Sequence, residues 1–440
     1  MSELLELAKQ ACREALKHGA ELVDVQTSAE RSISINVEKN GIHDAKENDS
    51  ASVSVRSIIK GATGFSNSSG FDLNGVLETA RRSAAAAKLA QPDPDFVTLP
   101  APASWQEVPG LYDTGVANLS AADLIRLFAA EIDAAREVCP DVMVQGGSQL
   151  SISEQALVNS LGIEVARRST NVGIWVFCIV RRGDNVGSFY DFDCARIKSD
   201  FAPKGIGVKA CREAVAFLDS RKTKSATLPV ILGPLATRGL LWGICYSAGA
   251  ENIQRKRSYL VGKRGQRIGS GLLTLRDDGL IPQGMASGAW DGEGAVRKRV
   301  TVVEEGVLAN HLHGSYTANK AHEENTGHGN RWGGVGPTNV VPSLGRTTAA
   351  EIIADTPEGI YVNVGSLMPH PVTGDISATV DFGYKIENGK LAYPLKNTML
   401  GTTVFDLLNN LDAISSDYRE EPGMIMPTIR IQSVKIAGAE

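Results

Sequence analysis

The chain has 440 residues, 42% of them hydrophobic and 22% charged, with a formal net charge of -5. This length is too great for one ordinary core and implies two or three domains, while the composition is globular and holds no apolar run long enough to cross a bilayer. The acidic balance supplies no overall field for phosphate backbones, which argues against direct nucleic-acid binding, and the first residues lack the order of a signal peptide, which points to a cytoplasmic address.

Leu5, Ala8, Cys12 and Leu16 recur at helical spacing before Gly19, which predicts an amphipathic first helix. Ile33, Ile35 and Val37 then alternate with polar residues, Asn40-Gly41 is a tight-turn dipeptide, and Val53 and Val55 resume the alternation, so a hairpin sheet follows. Asp72 is placed to cap a second helix that turns Leu73, Val76, Leu77, Ala80 and Ala84 inward, and the Pro-rich stretch "QPDPDFVTLPAPASWQEVPG" reads as an extended connector. Ser120 and Asp123 resemble a capping box for a third helix, halted by Pro140. The run "VGIWVFCIV" at 172 to 180 is apolar at every position and predicts a central strand covered on both faces. A helix over 205 to 219 leads to "SRKTKSATLP", the best candidate for a domain boundary. Beyond it, "VVEEGVLANHL" and "YKIENGKLAYPL" each read strand, Gly turn, strand. Helices and strands are grouped rather than regularly alternating, so the expected class is α+β. Residues 1 to 220 would form an antiparallel or mixed sheet with helices, and 221 to 440 a strand-rich barrel or sandwich with helices.

The cysteines Cys12, Cys139, Cys178, Cys194, Cys211 and Cys245 form no CxxC pair and are expected as buried thiols. The basic stretch "RKRSYLVGKRGQR" at 255 to 267 reads as solvated strand ends or a local anion patch. In "AHEENTGHGN", His322 and His328 stand six apart, which on a helix is a turn of about 600° and leaves them about 120° off a shared face. A helical zinc motif therefore fails there. A loop site using His311, His313, His322 and His328 has no specific signature; His311 and His313 fall on one face of an expected strand, and a structural or substrate-contact reading ranks ahead of a metal. There is no P-loop, no GxGxxG between strand and helix, and no nucleophile elbow with a base. The Gly-rich "GHGNRWGGVGP" at 327 to 337 could bring main-chain N–H groups to a ligand or be an ordinary loop.

Three stretches in order, "LLWGICYSAGAENIQRKRSYL", "MASGAWDGEGAVRKRVTVVEEGVLANHLHGSYTANKAHEENTGHGN" and "HPVTGDISATVDFGYKIENGKLAYPL", resemble the TldD/TldE (PmbA) family, whose older label is modulator of DNA gyrase. The likeness is clear over residues 230 to 400 and continues at the start with "AELVDVQTSAERSISINVEKNGI". The family pairs two related subunits, and its TldD-type member holds zinc with a His-Glu-x-x-x-His helix after two leucines plus a cysteine near its carboxyl terminus. Here Leu240-Leu241 is followed by Trp242 and Ser247 at the histidine positions and Gly243 at the glutamate, and no cysteine follows Cys245. The chain thus resembles the TldE/PmbA type, which lacks the metal. That resemblance implies no catalytic or metal-ligating residue and no cofactor in this chain. Zinc would be expected only in a TldD-like partner, where it would polarise the scissile carbonyl of an extended or unfolded peptide. Substrate contacts are expected at Tyr316, Thr317, His328, Thr373 and Asp375, against the plain reading of each as a satisfied turn or strand residue. "NRWGGVGPTN" departs from the family's small-residue run, with Arg331 and Trp332 as interface anchors or as groups that narrow a cleft. The alternative function is a non-catalytic, peptide- or protein-binding regulatory homodimer.

Overall fold

In a computed structural model describing residues 2–365 and 367–439, the first apolar stripe forms α1 (Ser2–Lys17). Alternating sequence then makes three strands, β1 (Leu22–Glu38), β2 (Gly41–Ile59) and β3 (Ala62–Ser69). Asp72 caps α2 (Leu73–Leu89) by accepting from the Gly75 N–H, and a short α3 (Thr114–Ala117) follows the connector. The Ser120/Asp123 capping box starts α4 (Ala121–Val138), before β4 (Met143–Asn159), β5 (Glu164–Arg182), β6 (Asn185–Ala195) and α5 (Ile206–Ala216). The six strands form one antiparallel sheet in the order β3-β2-β1-β4-β5-β6.

Two local expectations are corrected here. The first hairpin turns on Lys39 and Asn40, with φ of 50° and 64°, and Glu38 pairs with Gly41. The turn lies one residue before Asn40-Gly41 because two consecutive left-handed residues match the strand twist, and the register shift near Asn36/Val37 absorbs the extra residue. The run at 172 to 180 is not covered on both faces: Val172, Ile174, Val176, Cys178 and Val180 are buried while Trp175 is 49% exposed. All the helices that pack on this sheet lie on one side. Val23, Val25, Val53 and Val55 meet the helix residues Ala8, Ala11, Ala15, Val76 and Ala80, while Ile33, Ile35, Leu150 and Val176 meet Leu124, Phe128, Ala210 and Ala214. The opposite face is mixed: Gln26, Ser28, Ser153 and Gln155 lie on it beside Trp175 and an apolar patch of Leu157 and Val165 under Trp290, as an antiparallel sheet with one helix-covered face allows.

The second half adds β7 (Ala226–Leu232), α6 (Pro234–Ser247), α7 (Ala250–Gln254), β8 (Leu275–Asp278), β9 (Arg299–Glu304), β10 (Val307–Leu308), α8 (Ser315–Ala321) and β11 (Val340–Pro342). It ends with α9 (Ala349–Ala354), β12 (Glu358–Gly365), β13 (Asp375–Glu387), β14 (Lys390–Pro394), β15 (Met399–Thr403), α10 (Val404–Asn409), β16 (Leu411–Glu421) and β17 (Met424–Ala437). β12, β7, β17, β15 and β13 pair in turn, and β13 returns to β12, so the expected strand-rich body is a closed barrel. Closure satisfies the sheet edges that an open sheet would expose. Leu240, Ile244 and Cys245 of α6 pack into the same core as Val230, Val362 and Ile431. A smaller sheet runs β10-β9-β8-β11. The basic stretch at 255 to 267 consists of turns rather than strand ends, with Arg264 paired to Glu323. Among the described residues, no helix is long and apolar enough to cross a membrane. Five cysteines are buried, Cys194 is half-buried, and all six are free thiols.

The halves are locked by buried charge. Asp24 on β1 receives Arg56 from the facing position on β2 and Arg331 from the loop after α8, and Arg56 also reaches Glu293 at 3.5 Å. Arg331 further donates to the carbonyls of Asp24 and Ser54 at 3.0 Å each, and Trp332 stacks on Phe65 at 4.3 Å between ring centroids. Arg331 and Trp332 are thus anchors between two parts of one chain. Removing one charge from such a cluster strands the others in low dielectric, at a cost of about 3–5 kcal/mol. Asp24→Asn is expected to lower the unfolding free energy by about that amount in chemical denaturation, and an unchanged midpoint would contradict the assignment.

Candidate functional site

The polar face of the first sheet is the floor of a cleft. Gln26 and Ser28 of β1, Ser52 of β2, Ser153 and Gln155 of β4, and Arg167 and Ser169 of β5 line a 730 Å³ cavity roofed by residues of the 285–297 and 328–338 loops. Their shared face follows from the period of two along each strand and from register, since Ser28 faces Gln155 and Gln155 faces Arg167. At Met285, Ala286 and Thr338 this space adjoins a second cavity of 620 Å³, which reaches Trp242 on α6, Arg238 and Glu421.

The roof is held by Asp277 and Asp291. Asp277 accepts from the Thr338 N–H at 2.7 Å and its hydroxyl, and lies 2.8 Å from His328 Nε2. Asp291 accepts from the N–H groups of Glu293 and Ala295 at 2.9 Å and of Gly329 at 2.8 Å, while burial raises its carboxyl above the usual range. Arg196 donates to the carbonyls of Gly284 at 3.0 Å and Met285 at 2.6 Å, which ties the roof to the end of β6. Arg167 lies with its guanidinium carbon 4.3 Å from the centroid of the Trp290 ring.

The five residues expected as substrate contacts are not gathered in one place. The His328 side chain is 0% exposed, with Nε2 on Asp277 and Nδ1 2.9 Å from the Thr326 hydroxyl, so both ring nitrogens are engaged within the chain although the residue borders the cleft. Thr317 is buried, and its hydroxyl accepts from the Gly314 N–H at 3.1 Å at the start of α8. Tyr316 is half-buried, and burial with Asp93 beside it pushes its hydroxyl up to about 12. Thr373 is exposed in the turn before β13, and Asp375 is exposed at the first position of that strand, its N–H donating to the Thr373 hydroxyl at 3.3 Å. The Gly-rich loop serves close chain packing: a Cβ on Gly327, whose φ is 72°, would fall 2.2 Å from the Val296 carbonyl. Its N–H groups are engaged too, those of Gly334 and Gly336 by Asn330 and the His328 carbonyl. The cleft arginines and serines escaped the sequence reading, although the alternation of polar residues along β1, β4 and β5 was the available signal.

His311 and His313 flank Leu312, which forms a single bridge to Gly249 rather than a strand, and their rings lie 6.4 Å apart. Burial lowers both, His311 to about 4, and His322 is exposed at the left-handed end of α8. Among the described residues, no group of three or more His, Cys, Asp or Glu side chains is arranged to hold a metal ion. The equivalent stretch of α6 does not fit zinc either. Trp242 stacks on Tyr246 at 5.2 Å and offers no lone pair, Gly243 offers no side chain, and full burial pushes the Cys245 thiol well up, which keeps it protonated. A Cβ on Gly243 would lie 2.7 Å from Pro369 Cδ, so the space a longer side chain would need is taken. Gly243→Ala is expected to destabilise the fold by about 1–3 kcal/mol through overpacking, read by thermal or chemical denaturation; a variant as stable as the parent would contradict this packing.

Comparison with known proteins accords with this architecture. Three sequence models described as PmbA/TldA metallopeptidase match the chain: domain 1 over residues 23–87, the central domain over 115–218 and the C-terminal domain over 225–438. The chain is 23% identical over 442 residues to Metalloprotease PmbA of Escherichia coli O157:H7, covering 99% of this chain and 96% of that protein. It is 25% identical over 407 residues to an uncharacterized protein of Methanocaldococcus jannaschii, covering 90% and 92%. Relatives named for TldD match as well. The crystal structure of TldE from Thermococcus kodakarensis superimposes with a TM-score of 0.90 at 26% identity, over 98% of this chain and 100% of that one. With three consecutive domains matched and the whole fold shared, the chain belongs to the PmbA/TldD family of metallopeptidase-related proteins.

Proposed function

We propose that this chain is the metal-free subunit of a heteromeric zinc metallopeptidase of the TldD/TldE type, and that it helps to bind extended or unfolded peptides while a TldD-like partner carries the metal. The observation behind this reading is α6: at the positions where the metal-bearing relatives have His, Glu and His stand Trp242, Gly243 and Ser247, and Pro369 occupies the space beside Gly243. Indole and glycine supply no donor to a divalent ion. What the chain does offer is a cleft floored by Ser28, Ser52, Ser153, Gln155 and Ser169, whose hydroxyls and amides both donate and accept. Such groups can hydrogen-bond a peptide main chain without selecting its side chains, which suits handling of unfolded segments. Bond cleavage belongs to the partner, where a bound metal ion would act as Lewis acid and activate water. In this reading the His328–Asp277 pair keeps the roof in register, Thr317 serves the start of α8, and Tyr316, Thr373 and Asp375 remain candidate contacts of peptide or partner at the margins.

The test is co-expression with a TldD-like relative that has an intact His-Glu-x-x-x-His helix, followed by size exclusion and elemental analysis. A mixed complex should form and cleave peptides only when zinc is present, and the chain purified alone should carry zinc at background. Stoichiometric zinc in this chain alone, or a mixed complex without cleavage, would contradict the proposal. A stable self-paired form that binds peptides and ignores the relative would favour the regulatory homodimer.

A further inference from the structure

Arg167, Arg196 and Arg297 converge on the cleft between the sheet floor and its roof. Burial, together with the guanidinia of Arg297 and Arg196, lowers Arg167 to about 10. The carboxylates that act on Arg167 and Arg297 are already committed. Asp291 receives three main-chain N–H groups, and Asp277 receives His328 and Thr338. Among the described residues, none of the three arginines has a carboxylate within ion-pair distance. Arg196 is satisfied by neutral carbonyls. Arg297 donates from Nη1 to the Gly327 carbonyl at 3.3 Å, and its Nε is buried without a partner. Arg167 rests on Trp290, lines the cleft and has no hydrogen-bond partner among the described residues. Glu30 and Glu154 line the same cleft, and Glu154 is paired to Arg168 at 2.8 Å. Unpaired recessed cations of this kind are costly unless a bound anion completes them, and the planar fork of arginine matches a carboxylate.

We propose that Arg167, backed by Arg297, anchors a carboxylate-binding subsite that takes a carboxyl group of a peptide lying in the cleft. The inference rests on the peptide-binding reading above and deepens it. A terminal carboxylate held here would set the direction of an extended chain across the floor, leaving the rest of the peptide on the Ser and Gln side chains.

The experiment measures binding of a short neutral peptide to the purified chain and to its mixed complex. The peptide is made with a free carboxyl terminus, with an amidated terminus, and with an amidated terminus preceded by glutamate. The free acid should bind about tenfold or more tighter than the amide, the size of one charge-assisted hydrogen bond, and Arg167→Gln should erase the difference without moving the thermal midpoint. If the amidated glutamate peptide regains the affinity instead, the subsite stands with a side-chain carboxylate as its ligand. Equal affinity of all three peptides, no binding of any, or a preference that survives Arg167→Gln would overturn the proposal. Cleavage by the mixed complex in the face of equal affinities would sink this subsite alone and leave the subunit reading intact.

Discussion

The fold depends on one constraint: Asp24, on the first strand, must be neutralised where water cannot reach it. Its partners are Arg56, directly across the ladder, and Arg331, 307 positions along the chain. A buried carboxylate with a single guanidinium would leave lone pairs and charge uncompensated, and the second arginine with Glu293 completes the set. Because Arg331 belongs to the loop that also carries His328 and Asn330, satisfying Asp24 brings that loop down over the polar face of the sheet. The cleft exists because of this tie. Phe189, Phe217, Phe382 and Tyr384 make a second, aromatic contact between the halves, and the Tyr384 hydroxyl donates to Glu213 at 2.6 Å.

Once the roof is fixed, the chemistry available beneath it is limited by what the fold has already used. His328, Asp277 and Asp291, the groups that would suggest acid–base or metal work in an isolated list, are consumed in holding loops together. Helix α6 turns Trp242, stacked on Tyr246, toward the second cavity and seats Pro369 against Gly243. What stays free is hydrogen-bonding capacity on the floor and positive charge at Arg167. That combination favours holding an extended polar chain over attacking it.

Local structure was legible in the sequence wherever its cause is local. The Ser120/Asp123 capping box, the Asp72 cap and the Gly turns of the two later hairpins are decided by residues within a few positions, and they occur where expected. Coverage of β5 was misjudged because its outward positions are also apolar, and only the placement of every packing helix on one side leaves Trp175 exposed. Closure of the barrel was out of reach too, since it requires β12 to lie parallel to β7, a pairing between residues well over a hundred positions apart that no short pattern encodes. At the site, the identities of Trp242, Gly243 and Ser247 on α6 could be read directly. The recessed setting of Arg167 could not, because an arginine on an alternating strand reads as a solvated charge until the loop that roofs it is known.

The central claim is that the metal of the assembly belongs to a partner and that α6 of this chain cannot take one. Anomalous diffraction at the zinc edge, from crystals of the mixed complex grown with zinc, tests it most directly. The account predicts a single strong peak per heteromer, at the partner's His-Glu-x-x-x-His helix, and none within bonding distance of Trp242, Cys245 or Ser247. A peak of comparable height coordinated by this chain would contradict it.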